Sequence, residues 1–322
     1  MSKKILVTGC KFIGKHFVDY VLEQTDWEII VLYRNNIGRI RDRVTYIQHD
    51  LVKPLFSIHD PRYRLPKLDY IVHMAAETYV DDSLVDCIKF VKSNVLGTAN
   101  LLEWIKKYYP TTPTCIFSSD EVMGPAPEGV DFKEDNQRKP SNPYSATKGA
   151  AELLAYSFAH SFNLPIFVVR CMNVYGKGQA PQKFIPKVVE AFKKGEKITL
   201  HGTNKNNVAS RHWVHARDCA DAVMFLLDKA KPKEIYHITG EERSVYYIAE
   251  KILDVLMKRR EVKPLPSFVD GVMYNIDDWV EYLDFHKARK GHDKRYSLSG
   301  EKLKAMGWIP KFRLDECLEE IV

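Results

Sequence analysis

The stretch Lys4-Ile-Leu-Val-Thr-Gly-Cys-Lys-Phe-Ile-Gly14 predicts a buried β-strand that turns through a glycine into an α-helix. We place the strand at 4–8 and the helix at 13–22. The chain then repeats this alternation of short apolar runs and helical runs. Strands are predicted at 27–33, 44–49, 70–74, 114–118 and 166–170, and helices at 85–108 and 144–162. The alternation predicts an α/β fold with a doubly wound parallel Rossmann sheet and ligands at the carboxyl ends of its strands.

The glycine turn after the first strand is a candidate site for a dinucleotide. A strand that passes through glycine into a helix directs the N–H groups of the helix N-terminus at an anion such as a pyrophosphate. The motif is incomplete, because the loop between Gly9 and Gly14 is one residue short and Lys11 stands where a middle glycine is expected. A purely structural turn therefore stays open as the alternative.

The end of the second strand leaves the choice between NAD and NADP open. A carboxylate that binds the adenosine ribose is expected there, but this chain has Tyr33 and Arg34. Tyr33 is a candidate to stack on the adenine, and Arg34 either pairs with a 2′-phosphate or is solvated. Asp50, which ends the third strand, is a candidate partner for the adenine amino group.

The length of the chain indicates a second, smaller lobe. At 322 residues it exceeds the usual size of one domain, and a 45% apolar composition supports a large core. We assign residues 1–170 to the dinucleotide-binding domain, with 212–240 returning to it through a helix at 218–230 and a strand at 234–239. Residues 171–211 and 241–322 then form a C-terminal substrate-binding lobe.

Composition excludes several other classes of function. The 48 basic residues are interspersed with 42 acidic ones, which argues against a nucleic-acid partner. The six cysteines show no metal-ligand spacing, so we expect no metal site and free thiols in a reducing cytoplasm. No apolar run is long enough for a membrane span.

The candidate catalytic groups lie in two segments. Ser118-Ser-Asp-Glu121 ends the strand at 114–118, and Tyr144-Ser-Ala-Thr-Lys148 begins the helix at 144–162. A Tyr/Lys pair assists oxidation of an alcohol, whereas an adjacent acid and base serve proton transfers. Together they predict a hydride shuttle coupled to an elimination. The alternative for the two acids is a turn residue followed by a carboxylate at a helix start.

The surroundings of Tyr144 separate it from chance matches to Tyr-x-x-x-Lys. Two other matches begin at Tyr63 and Tyr247, but the first contains a proline and the second has no acidic strand end before it. Ahead of Tyr144, Ser141 is a candidate helix cap and Pro143 suits a first turn. Positions 144 and 148 then share one helix face.

With these motifs in place, the chain resembles an extended short-chain dehydrogenase/reductase, and within that class a nucleotide-sugar 4,6-dehydratase. The resemblance spans nearly the whole chain and rests on five blocks: Val7-Thr-Gly9 with Phe12-Ile-Gly14; His73-Met-Ala-Ala-Glu77-Thr-Tyr-Val-Asp81 with Asn94-Val-Leu-Gly97-Thr; Ser118-Ser-Asp-Glu-Val-Met-Gly124; Tyr144-Ser-Ala-Thr-Lys148; and Arg289-Lys-Gly-His-Asp293-Lys-Arg-Tyr296. The third block separates dehydratases from epimerases and decarboxylases. The chain departs from the usual family residues in three places: Ser119 replaces Thr, Met123 replaces Tyr, and Thr78-Tyr79 replaces Ser-His.

The resemblance implies a mechanism on dTDP-glucose or UDP-glucose. Tyr144, its pKa lowered by Lys148 and the nicotinamide cation, takes the C4 hydroxyl proton as hydride leaves C4, and Ser119 holds that hydroxyl. Glu121 then removes the C5 proton, and a protonated Asp120 delivers a proton to the departing C6 hydroxyl. Return of the hydride to C6 gives the 4-keto-6-deoxy sugar.

The same resemblance implies the binding residues and the assembly. The cofactor is expected to be NAD, with NADP not excluded, at Gly9, Phe12, Ile13, Gly14, Tyr33, Arg34, Asp50, Leu51, Met74, Ala75, Ala76, Asn94, Tyr144 and Lys148. Substrate contacts are expected at Thr78, Ser119, Asn173, Lys183, Arg211, Arg289 and Tyr296. The helices at 85–108 and 144–162 are expected to form a homodimer through a four-helix bundle. His73, His212 and His292 are interpreted as structural.

Two other functions stay open. In a nucleotide-sugar 4-epimerase, Asp120 and Glu121 would be idle. The incomplete glycine turn and the missing ribose acid suggest the other alternative, a non-catalytic dinucleotide sensor.

Overall fold

The computed structural model describes residues 2–35, 40–55, 65–265, 275–284 and 293–322. Its strands are β1 Lys4–Thr8, β2 Glu28–Tyr33, β3 Val44–Gln48, β4 Tyr70–His73, β5 Thr114–Ser119, β6 Ile166–Cys171, β7 Asn173–Tyr175, β8 Ile198–His201, β9 Ser210–His215, β10 Ile235–Ile238, β11 Glu241–Ser244 and β12 Val280–Leu283. The central sheet has seven strands in the order β10-β6-β5-β4-β1-β2-β3, and all its neighbours are parallel. The predicted doubly wound sheet is confirmed.

The helices are α1 Phe12–Gln24, α2 Val80–Val85, α3 Cys87–Phe90, α4 Gly97–Tyr108, α5 Pro143–Ser161, α6 Phe184–Lys194, α7 Ala216–Lys229, α8 Val245–Lys258, α9 Ile276–Trp279, α10 Glu301–Ala305 and α11 Leu314–Ile321. Helices α1 and α7 cover one face of the central sheet with an apolar layer, and α4 and α5 cover the other. Because both faces are buried, the central strands carry apolar residues on both sides, as in β2, where the consecutive residues Ile29, Ile30, Val31 and Leu32 are all buried.

The helix predicted at 85–108 is wrong as one continuous element. Asp86 interrupts it, and its side chain accepts the backbone N–H of Lys89 at 3.0 Å, which caps α3. A π-helical segment, Val91–Leu96, then joins α3 to α4. Periodicity alone does not reveal such a break, because the apolar residues keep a helical spacing across it.

The cap of α5 also differs from the prediction. Asn142 rather than Ser141 caps the helix, because its side-chain oxygen accepts the Ser145 N–H at 2.8 Å while Ser145 Oγ accepts the Asn142 N–H at 3.2 Å. Pro143 occupies the first turn, as predicted. This capping box fixes the start of the helix that carries Tyr144 and Lys148.

The rest of the chain builds a second apolar core beside the central sheet. The strands β11-β9-β7 form one small sheet and β12-β8 another. Helices α6, α8 and α11 pack with them around Phe192 and Trp279. Strand β10 rejoins the central sheet next to β6, where the sequence predicted a returning strand. In the described part of the chain, no helix has the length and apolar character that crossing a bilayer requires.

Candidate active site

The carboxyl end of β5 and the start of α5 bring the predicted catalytic groups together. Ser119 ends β5, and Asp120 and Glu121 begin a short 3₁₀ turn, Asp120–Met123. The Ser119 hydroxyl donates to Asp120 Oδ1 at 3.0 Å and accepts the Glu121 N–H at 3.3 Å. Asn142, the cap of α5, donates from Nδ2 to Glu121 Oε2 at 3.0 Å. One amide therefore links the acidic turn to the helix that carries Tyr144.

The environment of Asp120 favours its protonated form. Its side chain is buried, and among the described residues Oδ2 has no hydrogen-bond partner. Burial, and next the neighbouring Glu121 carboxylate, raise the pKa of Asp120 to about 7, against the opposing effects of Ser119 and Arg211. A carboxyl group that is still partly protonated near neutral pH is able to deliver a proton.

Glu121 is placed differently from its neighbour. Its side chain is half-buried, and the Asn142 amide orients one of its oxygens. Two adjacent carboxyl groups in unlike surroundings are typical of an acid and base pair with separate roles.

The pKa of Tyr144 is not lowered as the sequence analysis expected. Burial, and next the Glu121 and Asp120 carboxylates, raise the pKa of the Tyr144 phenol well above its ordinary value. Lys148 does not offset this, because its ammonium donates to the Phe117 carbonyl at 2.5 Å and burial lowers the pKa of Lys148 to about 8. Lys148 alone therefore does not give the lowered pKa that was expected from this lysine and the nicotinamide cation together, because burial outweighs its effect.

A buried ion pair that was not predicted from the sequence lies beneath Lys148. Glu152 lies one helical turn further along α5 and accepts from Arg170 Nε at 3.0 Å and Arg138 Nε at 2.7 Å. Burial alone raises the pKa of Glu152, but these two guanidinium groups outweigh it and hold the pKa below its usual range. The spacing of four residues after Lys148 was the signal that could have revealed Glu152.

The turn after β1 requires glycine because the backbone packs closely there. Gly9 has φ +81°, and a Cβ there would lie 2.7 Å from Ala75 Cα. A Cβ on Gly14 would lie 1.9 Å from the Gly9 carbonyl oxygen. Lys11 precedes α1 without a side-chain cap, so the first N–H groups of this helix remain available to an anion. These features fit the pyrophosphate of a dinucleotide.

A buried hydrogen-bond relay supports this turn. The Thr98 hydroxyl donates to the Asn94 carbonyl at 2.6 Å, so it accepts from His73 Nε2 at 2.9 Å. Nδ1 of His73 then accepts from the Thr8 hydroxyl at 2.6 Å, and the Ala75 N–H donates to that hydroxyl at 3.3 Å. Burial lowers the pKa of His73 to about 3, so the ring is neutral and serves as a brace.

The end of β2 has a cation, Arg34, where a ribose-binding acid was expected. Arg34 donates to Glu77 Oε1 at 2.5 Å, and Lys89 lies 3.7 Å from the other Glu77 oxygen. The ring of Tyr33 meets Tyr46 edge to face. Glu77 was not predicted as the partner of Arg34, because the two residues are far apart in sequence.

The remaining predicted cofactor residues line the same strand ends. Asp50 Oδ1 accepts the Val52 N–H at 3.1 Å. Asn94 is buried, and its amide binds the Glu77 backbone N–H at 2.8 Å, the Glu77 carbonyl at 3.0 Å and Thr147 Oγ1 at 3.0 Å. Its side chain therefore holds a loop of the site. Phe12, Ile13, Leu51, Met74, Ala75 and Ala76 are partly buried around this edge.

Two of the predicted substrate residues are in contact with each other, and the others lie apart from them. Arg211 and Tyr296 lie together, with the guanidinium carbon 4.7 Å from the ring centre, and Arg211 is close enough to oppose the raised pKa of Asp120. Asn173 begins β7, and the Lys183 ammonium lies 5.8 Å from the Tyr79 ring centre. Thr78 is exposed in the loop before α2. Arg289 and His292 lie outside the described residues.

A Rossmann sheet with an uncapped helix at its glycine turn, and a Tyr/Lys helix against an acidic strand end, defines an extended short-chain dehydrogenase/reductase. The sequence profile of the family GDP-mannose 4,6 dehydratase matches residues 6–321. The chain belongs to that family.

Similar proteins include both dehydratases and epimerases. The dTDP-D-glucose 4,6-dehydratase of Bos taurus is 30% identical over 339 residues, covering 100% of this chain and 88% of the relative. The dTDP-glucose 4,6-dehydratase DesIV of Streptomyces venezuelae, solved with NAD bound, has a TM-score of 0.83 at 28% identity, covering 99% and 95% of the two chains. The NAD complex of a Thermus thermophilus UDP-glucose 4-epimerase has a TM-score of 0.81 at 25% identity, covering 99% and 97%.

Proposed function

We propose that this chain is an NAD-dependent nucleotide-sugar 4,6-dehydratase that converts dTDP-glucose or UDP-glucose into the 4-keto-6-deoxy sugar. The observation that carries the proposal is the pair Asp120 and Glu121, adjacent at one strand end but in different surroundings. A 4-epimerase of the same fold needs the Tyr/Lys pair but has no task for two more proton-transfer groups.

The cofactor site is proposed at the glycine turn. NAD, when bound, accepts the C4 hydride and later returns it to C6. Gly9 and Gly14 allow the tight backbone packing of the turn, and the open N–H groups of α1 would bind the pyrophosphate. Asp50, Tyr33 and Arg34 are proposed at its adenosine end.

The proton transfers are assigned to side chains at the end of β5 and the start of α5. Tyr144 accepts the C4 hydroxyl proton, and Ser119 holds that hydroxyl. Glu121 takes the C5 proton, while Asp120, whose pKa of about 7 keeps part of the population protonated, gives a proton to the leaving C6 hydroxyl. The protons balance, because Glu121 returns its proton to C5 as hydride reaches C6, and the proton that Tyr144 accepts equals the one that Asp120 gives to the departing hydroxyl, so water is the one product released.

The nucleotide end of the substrate is proposed to bind toward the C-terminal lobe. Arg211 and Lys183 supply cations suited to a diphosphate, and Arg289 is proposed on the same grounds of resemblance. Asn173 and Thr78 complete the proposed contacts. Neither base is preferred, because one methyl group changes affinity by only about 1 kcal/mol.

We also infer a homodimer that acts in the cytoplasm. Apolar side chains are exposed on the segment α2 to α4 and on α5, with Val85 89%, Ile88 62% and Leu153 56% exposed. Pairing this face with a second copy forms a four-helix bundle and removes those side chains from water. The six free cysteines suit a reducing compartment.

A single incubation separates the candidate functions. With dTDP-glucose or UDP-glucose, a dehydratase produces a 4-keto sugar that develops a chromophore in alkali. An epimerase produces the galactose epimer instead, and a dinucleotide sensor leaves both substrates unchanged. Production of the epimer without a keto sugar would overturn the proposal.

A further inference from the structure

We propose that Arg295 and His212 are positioning residues that hold Arg211 and Tyr296 against the substrate. They belong to a group that we term the rear clamp, made of Arg295, Ser297, His212, Glu242 and Asp131. This inference rests on the proposed function, because Arg211 is the group proposed to bind the substrate diphosphate.

Arg295 is the centre of the rear clamp, because protein acceptors satisfy all five of its N–H groups. Nε and Nη2 donate to the two oxygens of Glu242 at 2.8 Å and 3.0 Å, and Nη2 also donates to Asp131 at 2.8 Å. Nη1 donates to the carbonyls of Pro127 at 2.9 Å and Val130 at 2.7 Å. A guanidinium fork is suited to joining such separate segments, whereas an ammonium offers only three donors without a fixed plane.

His212 closes the rear clamp from β9. Its Nδ1 donates to the Gly240 carbonyl at 3.1 Å. The Ser297 hydroxyl donates to Asp131 Oδ1 at 2.5 Å and lies 2.8 Å from His212 Nε2. Glu242 Oε2 lies 3.6 Å from the same ring nitrogen.

In extended backbone, successive side chains face opposite sides, and this alternation connects the rear clamp to the active site. Arg295 and Ser297 face the rear clamp, whereas Tyr296 faces the other way and packs with Val122 and Met123. On β9, His212 likewise faces the rear clamp while Arg211 reaches Tyr296. The rear clamp thus fixes the backbone that carries Arg211 and Tyr296, the two groups near Asp120.

The segment that the rear clamp holds also grips Arg211 directly. Arg211 Nη1 donates to the Lys294 carbonyl at 2.7 Å, and Nη2 donates to the Asp293 carbonyl at 2.6 Å. Nη1 donates as well to the Ser210 carbonyl at 2.6 Å. Among the described residues, Nε–H and one N–H of Nη2 have no assigned acceptor, so they are the donors offered to a diphosphate.

The test uses Arg295→Lys and His212→Gln in the full chain, with Arg243→Lys as the matched control. Arg243 lies on β11 next to Glu242, but its ion pair is with Glu241 at 2.9 Å.

We measure the dissociation constants of UDP and dTDP, the KM and kcat for the sugar nucleotides, and the amount of dinucleotide that copurifies. Each rear-clamp variant should weaken diphosphate binding and raise KM about tenfold, consistent with loss of charge-assisted bonds. The amount of dinucleotide and kcat should stay within about threefold, and the control should match the unaltered chain.

Two results would overturn the inference. One is unaltered diphosphate affinity in both rear-clamp variants. The other is a parallel loss of dinucleotide, kcat and diphosphate affinity, which indicates general unfolding. If Arg295→Lys does not fold, His212→Gln alone decides. Should the unaltered chain bind a diphosphate yet leave both sugar nucleotides unchanged, the proposed function fails, while the binding measurements still test the rear clamp.

Discussion

The division of labour between Asp120 and Glu121 originates in local solvation and hydrogen bonding. Asp120 is buried with one oxygen that has no partner among the described residues, and Glu121 is half-buried on the Asn142 amide. Asp120 is therefore the member of the pair whose surroundings favour a bound proton, because burial and the Glu121 carboxylate raise its pKa to about 7.

Glu121→Gln should stop the elimination without stopping the oxidation. The amide cannot remove the C5 proton, so we expect product formation to fall roughly 10²- to 10⁴-fold. Partial reduction of the cofactor, seen as absorbance of the reduced nicotinamide, should persist. The exposed Glu128, changed to Gln, is the matched control. Full turnover by Glu121→Gln would remove this residue from the mechanism.

Tyr144→Phe should act one step earlier. Without the phenol, no group accepts the C4 hydroxyl proton, so the oxidised cofactor should persist after substrate is added. Stopped-flow absorbance of the nicotinamide distinguishes this from the Glu121→Gln result. Rapid reduction in Tyr144→Phe would show that another base starts the reaction.

The pH dependence of kcat/KM should reflect Asp120. Its pKa is raised to about 7 by burial and the Glu121 carboxylate, so the proton it donates is present below pH 7 and lost above it. We expect kcat/KM for dehydration to fall by up to about tenfold per pH unit above that value. The half-reaction that reduces the cofactor does not use Asp120 and should lack this limb. A flat profile through pH 7 would contradict the assignment.

At the scale of elements, the residue that caps α5 contributes both to the stability of the helix and to the proposed catalysis. Asn142 closes the capping box and also holds Glu121. Asn142→Ala should lower the free energy of unfolding by about 1 kcal/mol and reduce turnover as well. Ser157→Ala is the control, because Ser157 is exposed on the same helix about four turns after the cap, where its hydroxyl donates to the Leu154 carbonyl at 2.8 Å. Chemical denaturation and the keto-sugar assay give the two readings, and equal effects of both variants would count against this role.

Most strands and helices could be predicted from the sequence, because the apolar runs and residue spacings that indicate them are local. The strands of the central sheet, Pro143 in the first turn of α5 and the juxtaposed acidic and Tyr/Lys segments were predicted from apolar runs and spacing. The cap at Asn142 and the break at Asp86 were not, because several polar residues compete for such positions and tertiary contacts choose among them.

Ion pairs between residues that are distant in sequence could not be predicted either. Glu77 with Arg34, and Arg170 with Glu152, meet only once the strands are assembled. The raised pKa of Tyr144 was missed for the same reason, since burial is a property of the folded chain.

At the scale of the whole molecule, the exposed apolar face on α2 to α5 makes assembly testable. Val85→Glu places a charge on its most exposed position, so the chain should become a monomer. Ile309→Glu changes a side chain of 60% exposure away from this face and should leave the assembly intact. Light scattering coupled to size-exclusion chromatography measures both masses. A monomeric unaltered chain would contradict the inferred dimer.

The most direct test of the account is the reaction carried out in deuterium oxide. Unaltered enzyme with dTDP-glucose or UDP-glucose should yield a 4-keto-6-deoxy sugar that carries deuterium at C5, without net accumulation of reduced cofactor. Mass spectrometry and proton NMR of the product report both features. A 4-epimer without deuterium at C5, or an unchanged substrate, would contradict elimination by Asp120 and Glu121.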